Sequence, residues 1–243
     1  MKELLVLFML SVCYMGFDQL QEGVVIYEQK VNMHRRITNP EMKAMIPEYN
    51  TSKMQLIFNA SESLYKNFES EEEDVIEGGN GAMQFRMMRP KNEIYCNTAA
   101  AQKLEMREFM GKRYLIKGEI TQTPWKVTGE MEQVAGYNCM KAMLTDTTAQ
   151  GDLRNVIAWF TPDIPLSIGP GNFGSLPGMI LKVDINEGET ILTAVKIDGR
   201  SLKKNELEAP SKGKEITEEE FRVMVEEQMK QMGGSGNRMI IRN

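Results

Sequence analysis

Histidine occurs once, cysteine three times and tryptophan twice in these 243 residues. One His and three Cys exclude by count the zinc sites built from several His or four Cys. A Ser–His–Asp triad has only His34 as its base. That residue sits between Met33 and the cations Arg35 and Arg36 and reads as a solvated strand end. The aromatic fraction of 7% offers few sugar-stacking platforms. Positive charge is not in excess either: a net charge of −5 and a pI near 5.2 lack the basic footprint of a nucleic-acid binder. Proline (9) and glycine (20) are too few for a collagen-like or low-complexity chain, and 42% hydrophobic residues are too many for a disordered one.

Long apolar runs are missing as well, with one exception. Residues 4–17 (LLVLFMLSVCYMGF) follow Met1, Lys2 and Glu3 and end at Asp18 and Gln19. The run is shorter than the ~20 residues of a membrane helix and matches the core of a secretory leader. Residues 1–20 are therefore expected to direct export to the periplasm or outer membrane, and the mature chain to carry no membrane-spanning helix. Cys13 stands where a lipid anchor could attach, but Val12 occupies the position where a small residue is expected. Removal of the leader leaves Cys96 and Cys139. In an oxidising compartment that pair is a disulfide candidate, the alternative being two separate buried thiols.

What is present reads as strands. Residues 24–31 are rich in β-branched types, and residues 54–59 and 62–68 form a hairpin pattern around Ala60-Ser61. Further strand patterns cover 93–98, 104–109, 113–120, 125–132, 137–145, 156–161, 179–186 and 190–197. Residues 41–45, between two prolines, suit one helical turn, and the acidic, Gly-rich stretch 69–81 a solvated loop. Short strands without intervening long helices predict a mainly β domain over 21–200, a curved antiparallel sheet or open barrel. Residues 201–216 read as a linker. In 217–232, Thr217 and Glu220 make a capping box, and Phe221, Met224, Val225, Gln228, Met229 and Met232 share one face of an amphipathic helix. Gly233-Gly234 is expected to stop that helix, leaving 233–243 as a flexible tail with a possible terminal strand.

Methionine is the compositional outlier, with 20 residues, several in pairs: Met42/Met45, Met87/Met88, Met106/Met110, Met140/Met143 and Met229/Met232. Thioether sulfur suits Cu(I), so Met229 and Met232 are weak copper candidates, while core filling by an adaptable side chain accounts for the same composition. Gly169-Pro170-Gly171-Asn172-Phe173-Gly174 spells G-x-G-x-x-G, but Pro170 and Pro177-Gly178 prevent the helix that a dinucleotide site requires. No catalytic constellation and no cofactor motif emerge, and the chain is read as a non-enzyme.

One segment carries a signature. Ala158-Trp159-Phe160-Thr161-Pro162-Asp163-Ile164-Pro165 leads through Gly169 and Pro170 to Phe173-Gly174-Ser175-Leu176-Pro177-Gly178-Met179-Ile180-Leu181. This resembles the GLPGLI family of exported bacterial proteins, with departures at Ser175 and Met179. Trp125-Lys126-Val127 and Val134-Ala135-Gly136-Tyr137-Asn138-Cys139 are similar to a second stretch of that family. The resemblance implies a mainly β protein without an established activity, tending to be encoded with outer-membrane receptors. Physically, Pro162, Pro165, Pro170 and Pro177 each fix φ and remove a donor, while Gly169, Gly174 and Gly178 widen the allowed backbone. The result is a rigid, irregular connection anchored by Leu176 and Phe173. Two roles are open to it, with Trp159 at its entrance: a structural clasp, or a loop that binds an apolar ligand or an outer-membrane receptor.

Overall fold

The computed structural model describes residues 20–68, 91–147 and 153–236. Most of the expected leader, the acidic stretch 69–81, the pair Met87/Met88 and residues 237–243 of the tail lie outside the described residues. Leu20 is the one leader position within them, and it packs at the margin of the core.

The β-branched runs form strands, and tight turns join them. β1 (Gly23–Asn32) leads through a 3-10 turn (Met33–Arg36) and a short helix α1 (Pro40–Met45) into β2 (Tyr49–Phe58). Asn39 caps α1, its Oδ1 accepting from Glu41 N–H at 2.8 Å. A meander follows: β3 (Glu62–Asn67), β4 (Asn92–Asn97), β5 (Gln102–Phe109) and β6 (Lys112–Glu119). A second comprises β7 (Lys126–Val134), β8 (Tyr137–Thr147), β9 (Leu153–Thr161), β10 (Met179–Ile185) and β11 (Thr190–Gly199). Met110-Gly111 and Ala135-Gly136 are two-residue hairpin loops with both φ angles positive, the combination that matches strand twist.

With a last short strand, β12 (Lys214–Thr217), the described strands make one curved, unclosed sheet in the order β12-β6-β5-β4-β3-β2-β1-β11-β10-β9-β8-β7. β12 pairs parallel with β6, and the other pairings are antiparallel. Alternation along the strands divides the apolar residues between two faces. The inner face carries Val25, Tyr27, Leu56, Phe58 and Tyr65, which share the main core with Val156, Ala158, Phe160 and Val183. The outer face carries Val24, Ile57, Leu64 and Tyr95.

The stretch expected as a linker is a strap. Leu202 and Leu207 cover the outer-face cluster, and Pro210 is buried. Its last residues become β12, and Gly213 lies so close to Tyr114 that a Cβ would sit 2.9 Å from its backbone carbon. Helix α2 (Glu218–Gly236) follows at once. The expected capping box forms, Thr217 Oγ1 accepting from Glu220 N–H and Glu220 Oε2 from Thr217 N–H. Phe221 is buried against Tyr114 and Phe109, with Arg107 5.2 Å above its ring. The helix continues through Gly233-Gly234 to Gly236 instead of stopping there. Glycine inside a helix costs about 1 kcal/mol each and does not forbid it.

Arg200 fastens the strap by bonding both carboxylate oxygens of Glu206, which also accepts from Lys203 N–H at 2.7 Å. These contacts hold the Glu206 carboxyl down at about 2. A depressed carboxyl contributes stability that is complete above its unfolded pKa and lost as pH falls through the folded one. The melting-temperature gap between wild type and Glu206→Gln is therefore expected to hold near neutrality and to close between about pH 5 and pH 2. A gap that does not change over that range would contradict the clamp.

Candidate functional site

β9 and β10 are antiparallel neighbours, with Thr161 opposite Met179, so residues 162–178 leave the sheet and return to the same place. Prolines deny this segment a ladder, and it folds through local bonds instead: Leu166 N–H to Ile164 O, Ile168 N–H to Leu166 O and Gly178 N–H to Leu176 O, each 2.8 Å. Two further bonds zip it onto β10, from Met179 N–H to Ile164 O and from Ile180 N–H to Ile168 O, both 2.9 Å.

Burial anchors the loop. Ile164, Ile168 and Leu176 belong to the main core, Leu176 being 2% exposed. Leu176 was legible as an anchor. Ile164 and Ile168 were not, because prolines and polar residues break their pattern. Phe173 is only half-buried, its ring tilted against Trp125 with centroids 6.2 Å apart. Trp125 Nε1–H donates to Gly174 O at 2.8 Å. Gly169 and Pro170 are buried, and a Cβ on Gly169 would lie 2.8 Å from Ile180 Cβ. Gly178 is tighter still, a Cβ there meeting Thr161 O at 2.1 Å. Pro162, Pro165 and Pro177 are exposed.

Trp159 stands apart from this loop. It alternates with buried Ala158 and Phe160 and lies between its cross-strand neighbours Lys141 and Lys182, whose Nζ atoms are each 5.8 Å from the ring centroid. Those lysines pair with Glu130 and Glu132. The signature thus contains two separate pieces, a charged ladder around Trp159 and the 162–178 loop.

The loop tip faces the far meander. Between Ser167–Ser175 and the ends of β3 to β6 lies an open pocket of about 130 Å³, lined by Ser63, Cys96, Thr98, Lys103, Thr121 and Thr123 among others. Sequence spacing gave no signal for that wall, which strand pairing brings up from distant positions between Ser63 and Thr123. Ser175 has φ +66°, a left-handed conformation, and its Oγ accepts from Thr123 N–H at 3.3 Å. Lys103 is ion-paired with Glu218 at the start of α2. A second pocket of about 320 Å³ lies under the strap and is lined by charges of both signs, including Lys66, Arg113, Glu93 and Glu208.

The disulfide expected between Cys96 and Cys139 does not form: both thiols are free. Cys96 is on β4 and Cys139 on β8, with six strands between them in the sheet order. Burial pushes both thiols up, Cys139 to about 11, and Lys103 partly offsets the rise at Cys96. Both are protonated at neutral pH and behave as small apolar side chains. His34 is a strut, with Nε2 2.8 Å from Ile46 O. Of the methionine pairs, Met106 is buried while Met110 is exposed, and Met143 is exposed while Met140 packs on the core. Met42 and Met45 are both exposed on α1. Met229 and Met232 lie on α2, but their side chains are outside the described ones. Among the described residues there is no group of three or more His, Cys, Asp or Glu placed to hold a metal, and no helix long and apolar enough to cross a membrane.

A family model described as "Protein of unknown function (Porph_ging)" matches residues 146–182. That stretch holds β9, the loop and the start of β10, and overlaps the segment that resembles the GLPGLI family. No curated protein matches the chain. Two solved structures of PNGF-II are similar to it. The P21 form has a TM-score of 0.57 at 15% identity over 84% of this chain and 33% of that one. The C2 form has a TM-score of 0.55 at 16% identity over 84% and 32%. This chain therefore spans about a third of the length of the PNGF-II structures it matches, and at such identity the likeness is one of fold alone. What the chain shares with known proteins is a fold with part of PNGF-II, and its loop segment with a family of unknown function.

Proposed function

We propose that this chain is an exported, non-catalytic accessory protein of the cell envelope that holds a partner at the tip of its 162–178 loop. One observation carries the reading: the loop buries Ile164, Ile168 and Leu176, while its tip is left to line an open pocket. A rigidly held loop presenting polar groups is a usual design for recognition. An apolar ligand under the inner face would have to displace those three side chains, so a partner at the tip is the better occupant. The raised thiols, Cys139 buried and Cys96 half-buried, support a role without a cysteine nucleophile. The apolar run 4–17 supports export, and the resemblance to a family encoded beside outer-membrane receptors suggests where the partner resides.

The test has two arms. Protein from the native host is expected to begin between about Cys13 and Glu22, and an intact Met1 in the cytosol would overturn export. Crosslinking in the envelope is expected to join an outer-membrane protein to the wild type and not to Asn172→Arg, a change at an exposed tip residue. Equal capture by both would overturn the binding role of the tip.

A further inference from the structure

We infer that the pocket at the loop tip is a binding site for a neutral sugar ring; the inference rests on the proposed binding role of the tip and gives its chemistry. Volume comes first. The pocket holds about 130 Å³ and is open, so it can seat one face or edge of a six-membered ring while the rest of the ring stays in solvent. The lining decides the chemistry of that ring. Ser63, Thr121, Thr123, Ser167 and Asn172 bring side chains able to donate and accept to the lining, whereas Thr98 Oγ1 already donates to Ser61 O at 3.0 Å and can only accept. An apolar ring would desolvate those groups without replacing their hydrogen bonds. An anion finds little attraction, since Lys103 is already paired with Glu218 and Glu119 lines the same pocket. A metal ion lacks a ligand cluster among the described residues. A ring bearing several hydroxyls satisfies the site, and Phe173, braced by Trp125, offers an aromatic wall for its C–H face. The sparse aromatics of the sequence thus place one ring, Phe173, at the wall of this pocket.

Ser175 points the same way. Its left-handed φ is a conformation that strains any residue with a Cβ, and the resembled hexapeptide has glycine there. The strain is retained together with a hydroxyl that lines the pocket. Its Oγ accepts from Thr123 N–H, and among the described residues no acceptor takes its own proton, which is left for a ligand oxygen.

Opposite signs make this testable. Full-length mature protein would be titrated with glucose, galactose and mannose, and with their methyl glycosides to represent a ring linked within a glycan. Tryptophan fluorescence and saturation-transfer NMR would follow binding, with inorganic phosphate as the charged control. At least one neutral hexose or its glycoside is expected to saturate with a Kd on the order of 1 mM. Preference for the free sugar or the glycoside identifies the source, and either supports the site. Ser175→Gly is expected to weaken binding about 3- to 10-fold, the worth of one hydrogen bond, while the melting temperature stays level or rises. Asn172→Ala should weaken it similarly. No saturation up to about 50 mM, unchanged affinity in both variants, or tighter binding of phosphate would each overturn the inference. If sugars fail while tip-dependent capture of an envelope partner persists, only the sugar chemistry falls.

Discussion

Gly178→Val is expected to lower unfolding stability by about 4 kcal/mol, near the upper end for a single substitution. The reason is space. A Cβ at Gly178 would lie 2.1 Å from Thr161 O and 2.7 Å from its carbonyl carbon, distances that no side chain adopts. The obstruction is backbone at the β9–β10 junction, so it cannot swing aside as a flexible side chain would. Relief requires β9 and β10 to part where Met179 meets Thr161. Urea unfolding measures the loss, and Pro177→Ala, one residue away and exposed, serves as control with a change below about 1 kcal/mol. Melting of Gly178→Val with the wild type would remove the clasp and leave the loop as a surface appendage.

Leu176→Ala and Ile164→Ala are each expected to cost about 3 kcal/mol, as large-to-small changes in a packed core do. Both side chains are at most 2% exposed and belong to the cluster that holds Tyr27, Phe58 and Phe160. Leu153→Ala removes the same side chain at a 73% exposed position and should change stability by less than about 0.5 kcal/mol. A shift in the urea midpoint at constant slope is the expected signature, since the native state stays compact. Were Leu176→Ala and Leu153→Ala indistinguishable, the loop would contribute no burial, and its recognition role would lose the rigid base proposed for it.

Strand positions were readable because β-branched runs and their turn residues are local signals. The expected runs at 24–31, 104–109 and 190–197 are β1, β5 and β11 within a few residues. Pairing was less legible. Nothing near β1 states that it lies beside β11, since that choice is made by packing across the whole chain. β12 carries little strand signal for a physical reason: Lys214-Glu215-Ile216-Thr217 is four residues long and three are exposed, the composition of a protected edge. The loop was recognisable from its prolines and glycines, and Leu176 as its anchor. Its pocket was not, because Ser63, Cys96 and Lys103 arrive from the other meander. The disulfide expectation failed on the same ground. Cysteine parity carries no information about which strands lie side by side.

The seam between β1 and β11 sets the order in which this molecule can be assembled. Within each meander every pairing joins strands consecutive in sequence, and such local pairings form before long-range ones. Gly23 meets Gly199 across the middle of the sheet, which brings the first strand made to the last strand of the second meander. Until residue 199 has emerged, β1 has one paired edge and one open edge, and Tyr27 lacks the carbonyl of Ile180 to which its hydroxyl donates at 2.7 Å. A chain at that stage holds its halves apart as two half-sheets, exposing the face that will become the core. Joining them is a late, long-range step with a large loop-closure cost. Until that step the unjoined edge of β1 is a row of unpaired donors and acceptors, the part of the chain most open to pairing with another strand.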